Sequence, residues 1–183
     1  QARAVGFHAT LDEWQQKLVD RPPAVDVGLH MIVTDMDVPD AEAELAAMSE
    51  RGVTSYKLFL AYKESDLWVD DGTLLRVAQV AHESGALVLV HAENGGAIEV
   101  LQRQALAAGR TEAIHHALTR PPLTEAEAIS RSIDLCEVAG APVYFMHISC
   151  REALEVLSRA HSAGRPVFAE TCPQYLAFTE DVL

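Results

Sequence analysis

Residues 52–62, from Gly52 to Tyr62, have the sequence GVTSYKLFLAY, an apolar and aromatic-rich run with a lysine in its middle. A short apolar run preceded by a glycine predicts a buried β-strand. The ammonium group of Lys57 is costly to transfer out of water, so a partner or a chemical modification has to compensate for its burial. A neutral lysine amine in a dry pocket can add carbon dioxide and become a carbamate, an anionic ligand that can bridge two metal ions.

Two later apolar runs each end in a histidine. Residues 86–91 lead to His91, and residues 141–147 lead to His147. Each residue alone has an ordinary alternative, a hydrogen-bonded core histidine or a lysine in a buried ion pair or at a strand edge. Neutral imidazole is also the commonest metal ligand. One lysine and two histidines, each at or near the end of its own strand, therefore predict a metal site.

The chain alternates between predicted strands and predicted helices. The near-continuous apolar character of the strands is typical of parallel strands covered by helices. A doubly wound sheet and an eight-stranded barrel both fit this α/β order. The barrel is favoured because polar residues follow successive strands and no Gly-x-Gly-x-x-Gly turn is present. The predicted strands are 25–34, 52–62, 86–91, 141–147 and 166–170, and the predicted helices are 11–20, 41–51, 71–84, 97–108, 124–138 and 151–163.

Composition predicts one globular domain over residues 1–183. The chain is 49% apolar, which is enough for a sizeable core. Its formal charge of −13 argues against nucleic-acid or anionic-membrane partners, which require a basic surface. No apolar run reaches the length of a membrane span. The widely spaced Cys136, Cys150 and Cys172 predict free thiols in a reducing cytoplasm.

Four motifs, taken together, resemble the dihydropyrimidinase and hydantoinase branch of the cyclic amidohydrolase superfamily, in the same order and spacing from about Asp26 onward. The resemblance implies a metal-dependent (β/α)8 TIM barrel, of which residues 1–183 would be about five central β/α units. The family's His-x-His motif would then precede Gln1 and its late-strand aspartate would follow Leu183, which makes an internal fragment the expectation. The motifs are YKLFLAY at 56–62, HAENG at 91–95, His147-Ile148-Ser149, and ETCPQYL at 170–176.

The resemblance also implies the roles of four residues. Lys57 would be carboxylated and would bridge two divalent metals, most likely Zn²⁺, and His91 and His147 would complete the shell of the second metal. Tyr62 would bind substrate and donate a hydrogen bond to the oxyanion that forms as water attacks the ring amide. The alternative for Tyr62 is an aromatic residue at the rim that covers the pocket.

The activity that this resemblance implies is hydrolysis of a hydantoin or dihydropyrimidine to an N-carbamoyl amino acid by a metal-bridging hydroxide. The resemblance implies a small cyclic amide as the substrate. It also implies that the protein assembles into a homodimer or homotetramer. Two alternatives remain: a non-catalytic dihydropyrimidinase-like assembly protein, and another cyclic amidohydrolase such as an allantoinase or dihydroorotase. Loss of the metal ligands would favour the assembly protein, and the sequence keeps Lys57, His91 and His147.

The remaining histidines and Cys172 are not assigned to the metal. His30 is expected to pack beside the site. His115 and His116 are predicted to lie in a link remote from any strand end. His8, His82 and His161 are predicted at surface or helical positions, and Cys172 lacks the paired histidine of a thiol nucleophile.

Overall fold

The computed structural model describes residues 6–182 and has a five-stranded parallel sheet at its centre. The spatial order of the strands follows the chain. A doubly wound sheet reverses its order at a switch point, whereas a barrel adds strands in sequence. The order therefore confirms a segment of a barrel wall. Its strands are β1 (Met31–Ile32), β2 (Ser55–Phe59), β3 (Leu87–His91), β4 (Val143–Phe145) and β5 (Val167–Ala169).

Seven α-helices flank these strands in the described part of the chain. Six of them begin and end within four residues of the predicted positions, because capping side chains and glycines mark several of the ends, whereas the short helix His115–Leu118 lies where a link was predicted. Asp70 accepts a hydrogen bond from the backbone N of Thr73 at 2.8 Å at the start of the third helix. The helices are α1 (Phe7–Asp20), α2 (Ala41–Ala47), α3 (Asp71–Ser84), α4 (Gly95–Ala107), α5 (His115–Leu118), α6 (Pro122–Ala139) and α7 (Arg151–Ser162).

The two faces of the sheet have different environments. The helix-facing row is buried, and the Tyr56 hydroxyl within it donates to the backbone O of Leu45 in α2 at 2.8 Å. The opposite face is open at both edges, where Ile32 is 47% and Phe168 is 52% exposed. The buried row is Met31, Tyr56, Val88, Val143 and Val167, and the opposite row is Ile32, Lys57, Leu89, Tyr144 and Phe168.

Three local predictions are corrected by the structure. The predicted strand at 25–34 is reduced to Met31–Ile32, because only its end pairs with β2 and Val25 and Val27 are solvent-exposed. The predicted helix at 41–51 ends at Ala47 and continues as a 3-10 turn over Ser49–Arg51.

The start of α6 is the third correction. The helix begins at Pro122, two residues before the predicted cap Thr124. The Thr124 hydroxyl donates to the backbone O of Pro121 at 2.8 Å and caps no N–H group. Proline suits a first helical position because the missing N–H would have no partner there.

Residues 6–182 contain neither a membrane-spanning helix nor a disulfide bond. None of the helices in this range is both long and apolar enough to cross a membrane. Cys136, Cys150 and Cys172 are all free, as predicted, and burial raises the pKa of the Cys136 thiol to about 12.

Candidate active site

The candidate site lies at the carboxyl ends of β2, β3 and β4, beside a cavity of about 1200 Å³. Main-chain hydrogen bonds fix these ends relative to one another. The backbone N of Leu60 donates to the O of His91 at 3.1 Å, and the N of Gly95 donates to the O of Leu60 at 3.1 Å. The N of Met146 donates to the O of Val90 at 3.2 Å. Side chains at the three strand ends are therefore brought to one edge of the sheet.

His91 and His147 face each other across this edge. The distance from His91 Nδ1 to His147 Nε2 is 2.9 Å, and the ring centroids are 4.7 Å apart. Burial lowers the pKa of His147, and the nearby charges of His91 and Lys57 lower it further. A depressed pKa favours the neutral imidazole, which is the form that binds a metal.

Lys57 lies behind Phe59 and Met146, two residues that line the cavity. Lys57 is only 7% exposed. Its Nζ lies 2.9 Å from the Sδ of Met146, which is a weak hydrogen-bond acceptor. Nζ also lies 4.8 Å from the centre of the Phe59 ring. Burial lowers the pKa of Lys57 to about 8, with a smaller opposing effect from Glu170. No carboxylate hydrogen-bonds to this amine within the described chain, so it lacks the strong partner expected of a structural buried lysine.

Tyr62 lines the cavity just beyond β2, with its ring 5.2 Å from that of His91. Burial raises the pKa of its phenol, so the group stays protonated and can donate a hydrogen bond. Tyr62 has φ of 63° and His147 has φ of 43°. Non-glycine residues with positive φ are uncommon and persist where surrounding contacts hold them, often at functional sites.

Glu93 is the nearest carboxylate to the histidine pair. Its Oε2 lies 2.9 Å from His91 Nε2 and 3.6 Å from Arg120 Nε. Burial alone would raise the pKa of Glu93, but the hydrogen bond and charge of His91, together with Arg120, hold it below its usual value. With Nε2 bonded to a carboxylate, Nδ1, which faces His147, is the nitrogen of His91 that could bind a metal, an arrangement common among metal-binding histidines.

The structure brings all four predicted residues, Lys57, Tyr62, His91 and His147, to this edge. The prediction that His116 is remote is wrong: helix α5 lies beside the strand ends, and His116 lines the cavity. The expectation that His30 packs beside the site is also wrong: its Nδ1 lies 2.6 Å from Ser55 Oγ, at the amino end of β2 and away from the carboxyl end.

Sequence reasoning assigned no role to four residues at this site: Glu93, Arg120, Glu125 and Ser149. Glu93 follows His91 by two residues, and this spacing could have indicated a carboxylate beside a metal-binding histidine. No sequence signal marked Arg120, which follows α5, or Glu125, in the first turn of α6, because only the fold brings these two segments to the strand ends.

The residues present fit part of a metal site. Among residues 6–182, no three histidine, cysteine, aspartate or glutamate side chains form such a site alone. The candidate set instead combines two imidazole nitrogens that lie 2.9 Å apart with a buried amine of lowered pKa. Two nitrogens and a carboxylated lysine are suitable donors for zinc-like cations, with further ligands supplied from elsewhere.

Comparison with known proteins finds close relatives of one kind, although no protein-family model matches the chain. A D-hydantoinase of Streptomyces coelicolor is 48% identical over 173 residues, and one of Geobacillus stearothermophilus is 42% identical over 173 residues. Each match covers 94% of this chain and 36% of the relative, so the chain spans about a third of their length.

Solved structures agree with the sequence matches. The crystal structure of dihydropyrimidinase from Brevibacillus agri NCHU1002 superposes with a TM-score of 0.94 at 39% identity, covering 100% of this chain and 39% of that one. Both the strand-end site and the barrel segment were expected for such a relative. On this similarity of sequence and structure, the chain belongs to the D-hydantoinase and dihydropyrimidinase family of cyclic amidohydrolases.

Proposed function

We propose that this chain is the central part of a longer metal-dependent enzyme that opens a hydantoin or dihydropyrimidine ring to an N-carbamoyl amino acid. The observation that carries the proposal is the convergence of Lys57, His91, His147 and Tyr62 at one edge of the barrel wall. The names of the similar enzymes, D-hydantoinase and dihydropyrimidinase, support this substrate class.

His91 and His147 are proposed to hold one divalent metal, and a carboxylated Lys57 to bridge it to a second; zinc is the metal the donors suit best. When bound, such metals supply a nucleophilic water at neutral pH and polarise a carbonyl. Glu93 orients His91 through its hydrogen bond at Nε2, which keeps Nδ1 directed toward His147.

Lys57 is proposed to be carboxylated because its amine is available as a nucleophile. At pH 7 an amine of pKa about 8 is neutral in roughly a tenth of molecules, against roughly one in three thousand at the ordinary 10.5. Only the neutral amine adds carbon dioxide. The surrounding Phe59 and Met146 limit water around the group, and the product is an anion that needs cations beside it.

Tyr62 is proposed to donate its phenolic hydrogen to the oxyanion that develops on the ring carbonyl. Two observations support this role: Tyr62 lines the cavity wall beside His91, and burial raises the pKa of its phenol, so the hydroxyl keeps the proton that it would donate. The aspartate general base of the family is not among these residues. Assembly into dimers or tetramers and a cytoplasmic location are part of the same proposal, the location because the three thiols are free.

Metal content and ring opening in the full-length protein test this function. We expect Lys57→Ala to lose binuclear metal binding and activity, with partial rescue by short carboxylic acids that replace the carbamate. His91→Ala and His147→Ala should each lower the metal stoichiometry. Lys17→Ala is the matched control, since Lys17 pairs with Glu13 on the distant helix α1.

Two results would contradict the proposal. Full metal content and normal ring opening in Lys57→Ala would exclude the carbamate. A wild-type protein that binds no divalent metal and opens no hydantoin or dihydropyrimidine would instead indicate a non-catalytic assembly protein.

A further inference from the structure

The segment Arg120–Glu125, which comprises the end of the α5–α6 connection and the first turn of α6, lies between the loops that follow His91 and His147. The backbone N of Asn94, in the first loop, donates to the O of Thr124 at 2.9 Å. Glu125 contacts Ser149 in the second loop. One short segment is thus in contact with both loops.

We propose that Arg120 and Glu125 are positioning residues that set the relative orientation of the two histidines, Arg120 through Glu93 and Glu125 through Ser149. This inference rests on the proposed function, because it assigns these two residues to the same metal site.

Arg120 is unusual for its burial. Its side chain is only 9% exposed, and its Nε is the one buried side-chain nitrogen or oxygen in the described chain without a hydrogen-bond partner. Nη1 donates to the backbone O of His116 at 3.0 Å, which anchors the other end of the guanidinium. The group lies 5.6 Å from the centre of the Tyr62 ring and 3.6 Å from Glu93 Oε2. The guanidinium therefore contacts both a candidate catalytic residue and the carboxylate that orients His91.

The effect on His91 follows from this geometry. Glu93 bonds to His91 Nε2, which directs Nδ1 toward His147. A buried glutamate can hold that position only while its negative charge is compensated. Arg120 supplies a positive charge that is fixed in place by His116 and by the Tyr62 ring. Without Arg120, Glu93 is free to turn toward water and His91 loses its orientation.

Glu125 acts on the second histidine. The residue is 9% exposed, and its carboxylate accepts from the backbone N of Ser149 at 3.0 Å and from the Ser149 hydroxyl at 2.5 Å. Ser149 follows His147 by two residues, and His147 has a positive φ of 43°. A backbone in that region needs contacts that hold it. The double contact to Ser149, together with the bond from the N of Ile148 to the O of Glu170 at 2.7 Å, supplies them.

The test uses Arg120→Met, Arg120→Lys and Glu125→Gln in the full-length protein. Zinc affinity is measured by competition with a chromophoric chelator, and the ligand field by the visible spectrum of the cobalt-substituted protein. Loss of a group that orients a ligand usually weakens metal binding by about 10- to 100-fold. We expect that loss for Arg120→Met, a smaller one for Glu125→Gln, which keeps one acceptor oxygen, and partial recovery for Arg120→Lys, which keeps the charge.

The matched controls remove similar groups that form ion pairs on the outer face of α6. Arg165→Met breaks the ion pairs with Asp134 and Glu137, and Glu137→Gln breaks only the second. Both controls should leave zinc affinity and the cobalt spectrum unchanged, even if the melting temperature falls.

The outcomes separate this inference from the proposed function. Variants that melt earlier but keep wild-type zinc affinity and cobalt spectra would overturn the positioning role while leaving ring opening intact. A wild-type protein that opens no ring, but whose zinc affinity falls in Arg120→Met and Glu125→Gln, would refute the function and support the positioning role. A wild-type protein that binds no zinc overturns both.

Discussion

Lys57 shows how one buried side chain links folding to chemistry. The fold places its amine on the inner face of the sheet, between Phe59 and Met146, where water is largely excluded. The charged form is disfavoured there, which lowers the pKa to about 8. Burial of the charged amine opposes folding. The same burial increases the fraction of the neutral amine, which is the reactive form.

Stability should therefore depend on pH through Lys57. The folded-state pKa of about 8 lies below the unfolded value of 10.5, so the unfolded state binds more protons between these values. In metal-free, carbonate-free protein, we expect the free energy of unfolding to rise from pH 8 to pH 10.5, by up to about 3 kcal/mol at 1.36 kcal/mol per pKa unit. Below pH 8 this contribution levels off. Urea unfolding across this range, with Lys57→Met as the reference, measures the effect, and parallel curves for the two proteins would contradict it.

Tyr62→Phe tests the second residue-level assignment. The change removes a hydroxyl that we propose donates mainly to the transition state, so kcat and kcat/KM should fall about equally, by roughly 100-fold. Steady-state kinetics of ring opening by the full-length protein measure both constants. Tyr144→Phe is the control, since the Tyr144 hydroxyl donates to Glu170 at 3.0 Å and does not line the cavity. A raised KM with normal kcat would make Tyr62 a substrate-binding residue only.

At the scale of elements, the site depends on the close contact between the residues that follow β2 and the first residue of α4. The N of Gly95 donates to the O of Leu60, and a Cβ at Gly95 would lie 2.6 Å from that oxygen and 3.1 Å from the Cα of Ala61. Only glycine allows this approach. The chain leaving β2 is thereby directed toward the cavity, where Tyr62 follows.

Gly95→Ala should accordingly be destabilising, while Gly96→Ala is its matched control. The clash at Gly95 is with main-chain atoms that cannot move without shifting β2, so we expect a loss of about 1–3 kcal/mol. A Cβ at Gly96 meets only Asn94 Oδ1 at 3.5 Å, and alanine in a helix should be neutral or stabilising by up to about 1 kcal/mol. Urea unfolding of the two variants gives both values. Equal stability of the two would show that β2 and α4 are not in close contact.

For the molecule as a whole, the described chain leaves the inner face of its sheet exposed at both edges, although the centre of that face, with Lys57 and Leu89, is buried. The edge strands are short, and apolar side chains are exposed near them, among them Ile32, Phe168 and Phe178. Unpaired strand edges and apolar patches of this kind promote association. The curated relatives are about two and a half times as long as this chain, and the additional length is sufficient to supply further barrel strands.

We therefore expect the isolated 183 residues to be inactive toward hydantoins and to self-associate. Lys57, His91 and His147 alone would bind at most one cation, and weakly, because three ligands without further donors form an incomplete site. Sedimentation and a ring-opening assay with added zinc and bicarbonate measure both properties, with the full-length protein as the positive control. A monomeric chain with turnover comparable to the full-length protein would show that no further strands are needed.

The amino-acid sequence by itself determined the strand-helix alternation and three of the four candidate site positions. Lys57, His91 and His147 could be placed because apolar runs predict parallel strands, and the carboxyl ends of such strands meet at one edge. Some helix ends were also determined by local sequence. Gly85 and Gly140, with φ of 70° and 75°, end α3 and α6 as predicted. Tyr62 was assigned by resemblance rather than by periodicity.

Only the tertiary structure decided how much of the first predicted strand pairs and which residues surround the histidines. Val25 and Val27 alternate like strand residues, but the length of β1 depends on the partner beside it. The contacts of Arg120 with Glu93 and of Glu125 with Ser149 join residues 24 or more positions apart. Such contacts depend on how the α5–α6 connection and the first turn of α6 pack against the loops that follow His91 and His147. No local pattern encodes this packing, because side-chain contacts and charge compensation act between segments distant in the chain.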